Sequence, residues 1–155
     1  MDDLGSAIVT ALAVDLGGGT DPGLDLSASG VVLRGAYARP PRLPFVAVDG
    51  VSVDGTRREA TTLRHWRWTI SWSVIAWIPV ETLTTEARVL RAEEAMAAIL
   101  DALTTAASTP GNALYGVIEP TFTAVSVDSS LAEAPEQAAV VGITVTAITH
   151  RTGGP

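Results

Sequence analysis

Over residues 63–78 the chain reads LRHWRWTISWSVIAWI, with a large apolar side chain at nearly every second position. Trp66, Trp68, Ile70, Trp72 and Val74 share one parity, while His65, Arg67, Thr69, Ser71 and Ser73 share the other. Period two places the two sets on opposite faces of a β-strand. Trp77 falls on the polar parity beside Ile75, so the end of this strand is expected to be buried on both faces. About fourteen residues at ~3.3 Å rise span roughly 45 Å, against about 5–6 residues for a usual strand. Such a strand either bends within one core or reaches past its own domain to touch other subunits.

The rest of the chain is read the same way. Residues 4–14 carry a helical stripe of Leu4, Ala7, Ile8, Ala11 and Leu12, with Asp2 or Asp3 as cap and Gly17-Gly18-Gly19 as its stop. A Gly-, Asp- and Ser-rich loop runs to Gly30, a short strand is expected at 31–37, and Arg39-Pro40-Pro41-Arg42-Leu43-Pro44 should be extended. Residues 45–48 read as a strand followed by Asp49-Gly50 and Asp54-Gly55, either of which suits a type I′ hairpin into the tryptophan strand.

Between 84 and 107 the period becomes 3.6. Val89, Ala92, Met96, Ile99, Leu100 and Leu103 form the expected buried stripe, and Glu86, Arg91, Glu94 and Asp101 the outer face, with Thr84 or Thr85 as cap. Two strands close the chain. The one within 114–127 contains Pro120, which demotes it to an edge, a bulge or two pieces. The one at 138–150 alternates Val141, Ile143, Val145 and Ala147 against Gly142, Thr144 and Thr146. Residues 128–137 form an acidic loop and 151–155 a frayed tail. The expectation is a single α+β domain over 1–155, a mainly antiparallel sheet of about four strands with both helices on one face, plus a long β-hairpin arm.

Composition narrows the chemistry. The chain has 155 residues, no Cys and a net charge of −7, from ten basic residues, all Arg, and 17 acids. Hydrophobic content of 47% excludes a disordered chain, and 155 residues suffice for one core. Absence of Cys removes disulfides and thiolate sites and fits a reducing compartment. No apolar run reaches the ~20 residues of a membrane span, and MDD opens the chain without a basic region, so it reads as intracellular at synthesis. The acidic balance argues against a nucleic-acid coat. Two local basic groups stand out: Arg34, Arg39 and Arg42, and Arg57, Arg58, Arg64 and Arg67.

Several catalytic readings fail on residue type. A phosphate loop needs a lysine after its glycines, and the chain has none. The same absence removes Schiff-base chemistry. His65 and His150 stand in no HxxxH or HxH pair, and no GxSxG elbow exists. Asp15, Asp21 and Asp25 lack calcium-loop spacing and read as acidic surface. No catalytic, cofactor or metal residue is assigned. The tryptophans share their face with Ile70 and Val74, which marks core or subunit interface over a stacking platform.

Taken in order, the segments LGSAIVTALAV, ARPPRLPFVAV, WRWTISWSVIAWIP, EARVLRAEEAMAAILDAL and VVGITVTAITHR resemble the tail terminator (tail completion, or tail-to-head joining) proteins of long-tailed bacteriophages. The likeness covers most of the chain by order and texture, with no counterpart for the loops at 17–30 and 128–137. It implies a non-enzymatic virion protein, made in the host cytoplasm, whose hexameric ring caps the tail tube and stops its polymerisation. The implied partners are further copies of itself, the tail tube protein and the head-tail connector or neck protein, with DNA passing through without specific binding. The candidate subunit interface is Arg57, Arg58, Arg64, Arg67, Trp66, Trp68 and Trp72. Two other readings fit the residues: another phage neck or tube-related subunit, and a small α+β enzyme whose polar site assembles in space.

Overall fold

The computed structural model describes residues 2–57, 65–80, 84–126 and 138–152. Helix α1 (Asp2–Leu12) leads through a one-turn 3-10 helix (Pro22–Leu24) to β1 (Val32–Arg34). Strands β2 (Phe45–Arg57) and β3 (His65–Pro79), helix α2 (Thr85–Ser108), β4 (Ile118–Ser126) and β5 (Ala138–Thr152) follow. The sheet order is β1-β2-β3-β5-β4. Every neighbouring pair is antiparallel except β1 and β2, which run parallel. The α+β expectation holds, with a fifth strand and one parallel pair. A parallel neighbour needs a crossover, and the 35–44 segment supplies it.

Alternation along the strands sorts the interior into two layers. On one face Val46, Val48, Ile70, Trp72, Val74, Ala76, Ile78 and the odd residues 139–147 of β5 join Ile8 and Leu12 of α1 and Ala92, Ala95, Ile99, Leu103 and Ala106 of α2. Both helices thus lie on one face of the sheet. On the other face Phe45, Ala47, Trp77 and Val140 form a smaller cluster covered by Leu33 of β1 and by Tyr37 and Leu43 of the crossover. Tyr37 meets Phe45 edge-on at 4.9 Å, and Phe45 lies 5.8 Å from Trp77. The end of β3 is buried on both sides, as the doubled parity of its last residues requires.

Four local expectations are corrected. The helix stripe is Ala92, Ala95, Ile99, Leu103 and Ala106; Val89, Met96 and Leu100 are only partly buried. The helix meets the sheet through small residues, which allow close approach. Neither Asp-Gly dipeptide turns the chain: both lie within β2, Gly50 opposite Trp72 and Gly55 opposite Trp68. The glycine run does not stop α1, which ends at Leu12. Gly18 and Gly19 instead take positive φ in a later turn, where the Asp15 carboxylate accepts the Gly17 and Gly19 N–H groups at 3.0 and 2.8 Å. Arg151 and Thr152 are not a frayed tail; they continue β5 opposite Trp66 and His65. The acidic stretch 128–137 lies outside the described residues.

Other expectations are met. Thr84 caps α2, its side chain accepting the Ala87 N–H at 3.2 Å. β4 is an edge strand holding Pro120, with a register shift between Phe122 and Ala124. Among the described residues no helix is long and apolar enough to cross a membrane.

Candidate subunit interface

The overlong strand has partners on both sides. β2 pairs with β3 from Phe45↔Trp77 to Arg57↔Trp66, and β5 pairs with β3 from Pro79↔Ala138 to His65↔Thr152. The outer strands are shorter: β1 reaches only Arg34↔Val48, and β4 begins at Ile118↔Ala147. Beyond those points, among the described residues, residues 49–57 of β2 and 148–152 of β5 continue without an outer neighbour, with the 65–69 end of β3 between them. β3 has 15 residues, about 50 Å at the usual rise. The expected hairpin arm is therefore a three-stranded tip, with β5 as its third member.

The candidate residues take definite register positions on this tip. Arg57 and Arg151 stand on either side of Trp66, Thr56 and His150 on either side of Arg67, and Gly55 and Thr149 on either side of Trp68. Arg58 and Arg64 lie outside the described residues, as do the side chains of Arg57, Trp66, Arg67 and Trp68. Trp72 is different: it is 3% exposed and packs in the main core of its own subunit. Its indole is covered before any partner arrives, so it anchors the base of the tip. The register position of Arg151 beside Trp66 is unexpected from the sequence, where the last residues of the chain read as a tail. The signal available was the alternation of β5, which runs through Ala147 and Thr149 to Arg151 without a turn residue.

A β-bulge marks where base becomes tip. Register shifts between Gly50 and Ser52, so that Val51 is the extra residue of β2. Bulges bend a strand and increase its local twist. Gly50 keeps an ordinary strand backbone, and a Cβ there would meet Trp72 Cδ1 at 3.9 Å, an ordinary contact. The glycine is thus not demanded by space or by backbone angle.

Arg91 and Asp21 are engaged structurally. Arg91, placed by periodicity on the solvent face of α2, is pulled down onto the loop before β1. Its Nη1 and Nη2 donate to the two carboxylate oxygens of Asp21, the second at 2.7 Å, and its Nε donates to the Pro79 carbonyl at 3.2 Å. Nη1 also donates to Glu94 at 3.1 Å. Donation from Arg91 holds the Asp21 carboxyl below the usual aspartate range, against a smaller opposing effect of burial. Asp21 in turn raises the Arg91 guanidinium. Gly23 leaves room for this grip, since a Cβ there would stand 2.4 Å from Arg91 Nη2. Asp25 is lowered by donation from the Ser27 hydroxyl and then the Ser27 N–H.

In the other basic group, Arg34, Arg39 and Arg42 are all exposed. The Arg34 guanidinium fills the space beside Gly5 of α1, and Arg42 Nη1 donates to the Ser29 carbonyl at 3.4 Å. His65 and His150 stand on neighbouring strands two register positions apart. Among the described residues no three His, Asp or Glu side chains gather as a metal site. A hollow of about 670 Å³ between α1 and α2 is lined chiefly by Ala7, Ala11, Val14, Ala98, Ala102 and Thr105. In comparisons with known proteins, no family model and no curated protein matches this chain.

Proposed function

We propose that this chain is a structural ring subunit that caps the tail tube of a long-tailed bacteriophage, stops its polymerisation and presents a surface to the head connector. The observation that carries the reading is the three-stranded tip, which extends past both outer strands of its own sheet. The order helix, loop, strand, long strand, helix, terminal strand adds to it, since this is the order in which the sequence resembles tail terminators. A closed ring needs a heterologous interface, one patch on each subunit meeting a different patch on the next. The tip supplies area for such a patch beyond the subunit's own core. A net charge of −7 suits a lumen through which DNA slides without being held.

The test combines assembly with function. Light scattering after size exclusion and negative-stain imaging should reveal closed rings, most readily with tail tube present. Replacing Arg57, Arg58, Arg64 and Arg67 together with Ser should abolish ring closure and leave phage with tails of uncontrolled length. Tails of normal length and infectivity from that variant would remove this arginine group from the interface. A wild-type gene dispensable for limiting tail length would end the reading as a whole. Binding to duplex DNA should be weak and should vanish at moderate salt.

A further inference from the structure

The two sides of the sheet are guarded at the base and open at the tip. β1 covers β2 at Val46, Ala47 and Val48, and β4 covers β5 from Val140 to Ala147. β4 is itself an outer strand, yet it carries Pro120 and a register shift after Phe122. Proline and bulges are the devices that blunt an edge against unwanted pairing. Beyond this cover, among the described residues, no strand lies beside β2 at 49–57 or along the outer side of β5 at 148–152. An open edge presents a row of backbone N–H and C=O groups ready to template another strand.

These two edges complement one another. They flank the same tip on opposite sides, and both strands run from base to tip because each is antiparallel to β3 between them. A second copy set alongside in the same orientation brings its β5 next to this β2 with the strands parallel. Charge agrees with that placement. The β5 edge, ITHRT, contains His150 and Arg151 and no acid, whereas the β2 edge, DGVSVDGTR, contains Asp49 and Asp54 with one arginine.

We propose that residues 148–152 of one copy pair in parallel with the next copy's β2 edge at 52–57, past that strand's own bulge at Val51, so that the sheet continues from subunit to subunit. The inference rests on the ring reading and names its contact. Because the two edges differ, the contact is heterologous: it propagates in one direction and closes when the rotation per subunit permits.

The absence of cysteine makes the test clean. Asp54→Cys is combined with Thr149→Cys, and the register is scanned with Ser52→Cys or Thr56→Cys against Thr149→Cys or Arg151→Cys. Within one chain β3 separates these positions by about 10 Å, beyond the ~7 Å limit of a disulfide. Any bridge between them therefore joins two chains. On oxidation at least one pairing should convert most of the protein into a ladder of covalent oligomers that reductant collapses, with each single variant remaining chiefly monomeric. Circular dichroism of the reduced variants checks folding, and a misfolded pair is replaced by its register neighbour. Wild-type rings with no ladder from any pairing overturn the edge contact and leave the ring reading in place. Covalent dimers from the single variants, without a ladder, also overturn it, since they indicate a two-fold contact. A strictly monomeric wild type with no ladder at any concentration overturns both.

Discussion

The grip of Arg91 on Asp21 should be a measurable lock on the loop that seals one end of the core. Asp21 caps the 3-10 turn, accepting the Gly23 N–H at 3.1 Å, and that turn leads through Leu24 to Leu26, which are 6% and 0% exposed. The side chains of Arg91 and Asp21 are 15% and 30% exposed. A surface ion pair contributes about 0.2–1 kcal/mol, and a hydrogen bond to a charged group about 1.5–3 kcal/mol when shielded. A two-pronged contact at this intermediate exposure should give a coupling of about 1–2 kcal/mol. The assay is a double-mutant cycle of Asp21→Asn and Arg91→Gln by urea unfolding. With a slope near 2 kcal/mol per molar, that coupling is about 0.5–1 M in midpoint.

The lock also has a pH signature. The folded-state pKa of Asp21 is depressed, so its contribution is fully present above the ordinary aspartate value of about 3.9. It is lost as pH falls through the lower folded value. Asp25 is shifted in the same direction, so the quantity to follow is the difference between wild type and Asp21→Asn. That difference should be constant near neutrality and shrink toward zero in acid. Amide exchange supplies a local readout, because the Leu26 N–H donates to Val14 and the Leu16 N–H to Leu24. Both amides should lose protection in Arg91→Gln. A coupling below about 0.3 kcal/mol, within the usual error of additivity, would refute the argument that this pair fastens the loop.

Three further outcomes follow from packing. Leu103→Ala, at a fully buried site, should cost about 2–5 kcal/mol, and Leu100→Ala, at a half-buried one, distinctly less; equal costs in chemical denaturation would contradict the observed face of α2. Thr84→Ala should lose about 1 kcal/mol through the cap of α2, and Thr84→Asp should restore most of it; an unchanged midpoint in Thr84→Ala would mean the cap is idle. A variant with Trp66→Phe and Trp68→Phe retains only Trp72 and Trp77, both buried, so its fluorescence should be blue-shifted and resist acrylamide; strong quenching would place these indoles in water.

What the sequence revealed about the fold follows from which signals are local. The cap at Thr84, the change to a period of 3.6 and the alternation of β3 and β5 depend on neighbours a few residues away. All three survive in the structure. The face of α2 was displaced because large apolar side chains dominate a helical pattern, whereas the helix rests on the sheet through Ala92, Ala95 and Ala106. Arg91 illustrates a further limit. Periodicity gives the side of a helix on which a residue stands but not the loop that folds over that side, so its bond to Asp21, 70 residues earlier, left no local trace. The parallel pairing of β1 is equally invisible, since direction is set by the 35–44 crossover and not by the three residues of the strand.

The Asp-Gly dipeptides failed for a reason that bears on function. Such pairs signal a reversal when the strands on either side end there, but here β2 continues through both to Arg57 because β3 is long enough to pair with it throughout. Two strands alone are marginal in water, and ordering each residue costs about 1–2 kcal/mol of backbone entropy. The third strand, β5, extends to Thr152 and so pairs the remaining edge of β3 along its whole length. The same arrangement leaves β2 and β5 each with one unpaired side beyond the reach of β1 and β4. A folded subunit thereby orders three strands whose outer hydrogen-bonding groups its own chain does not use within the described residues. Pairing between copies would satisfy both edges at once and offset that ordering cost at every contact around a ring. On this argument the length of the alternating segment, more than its tryptophan content, is the part of the sequence that speaks to assembly.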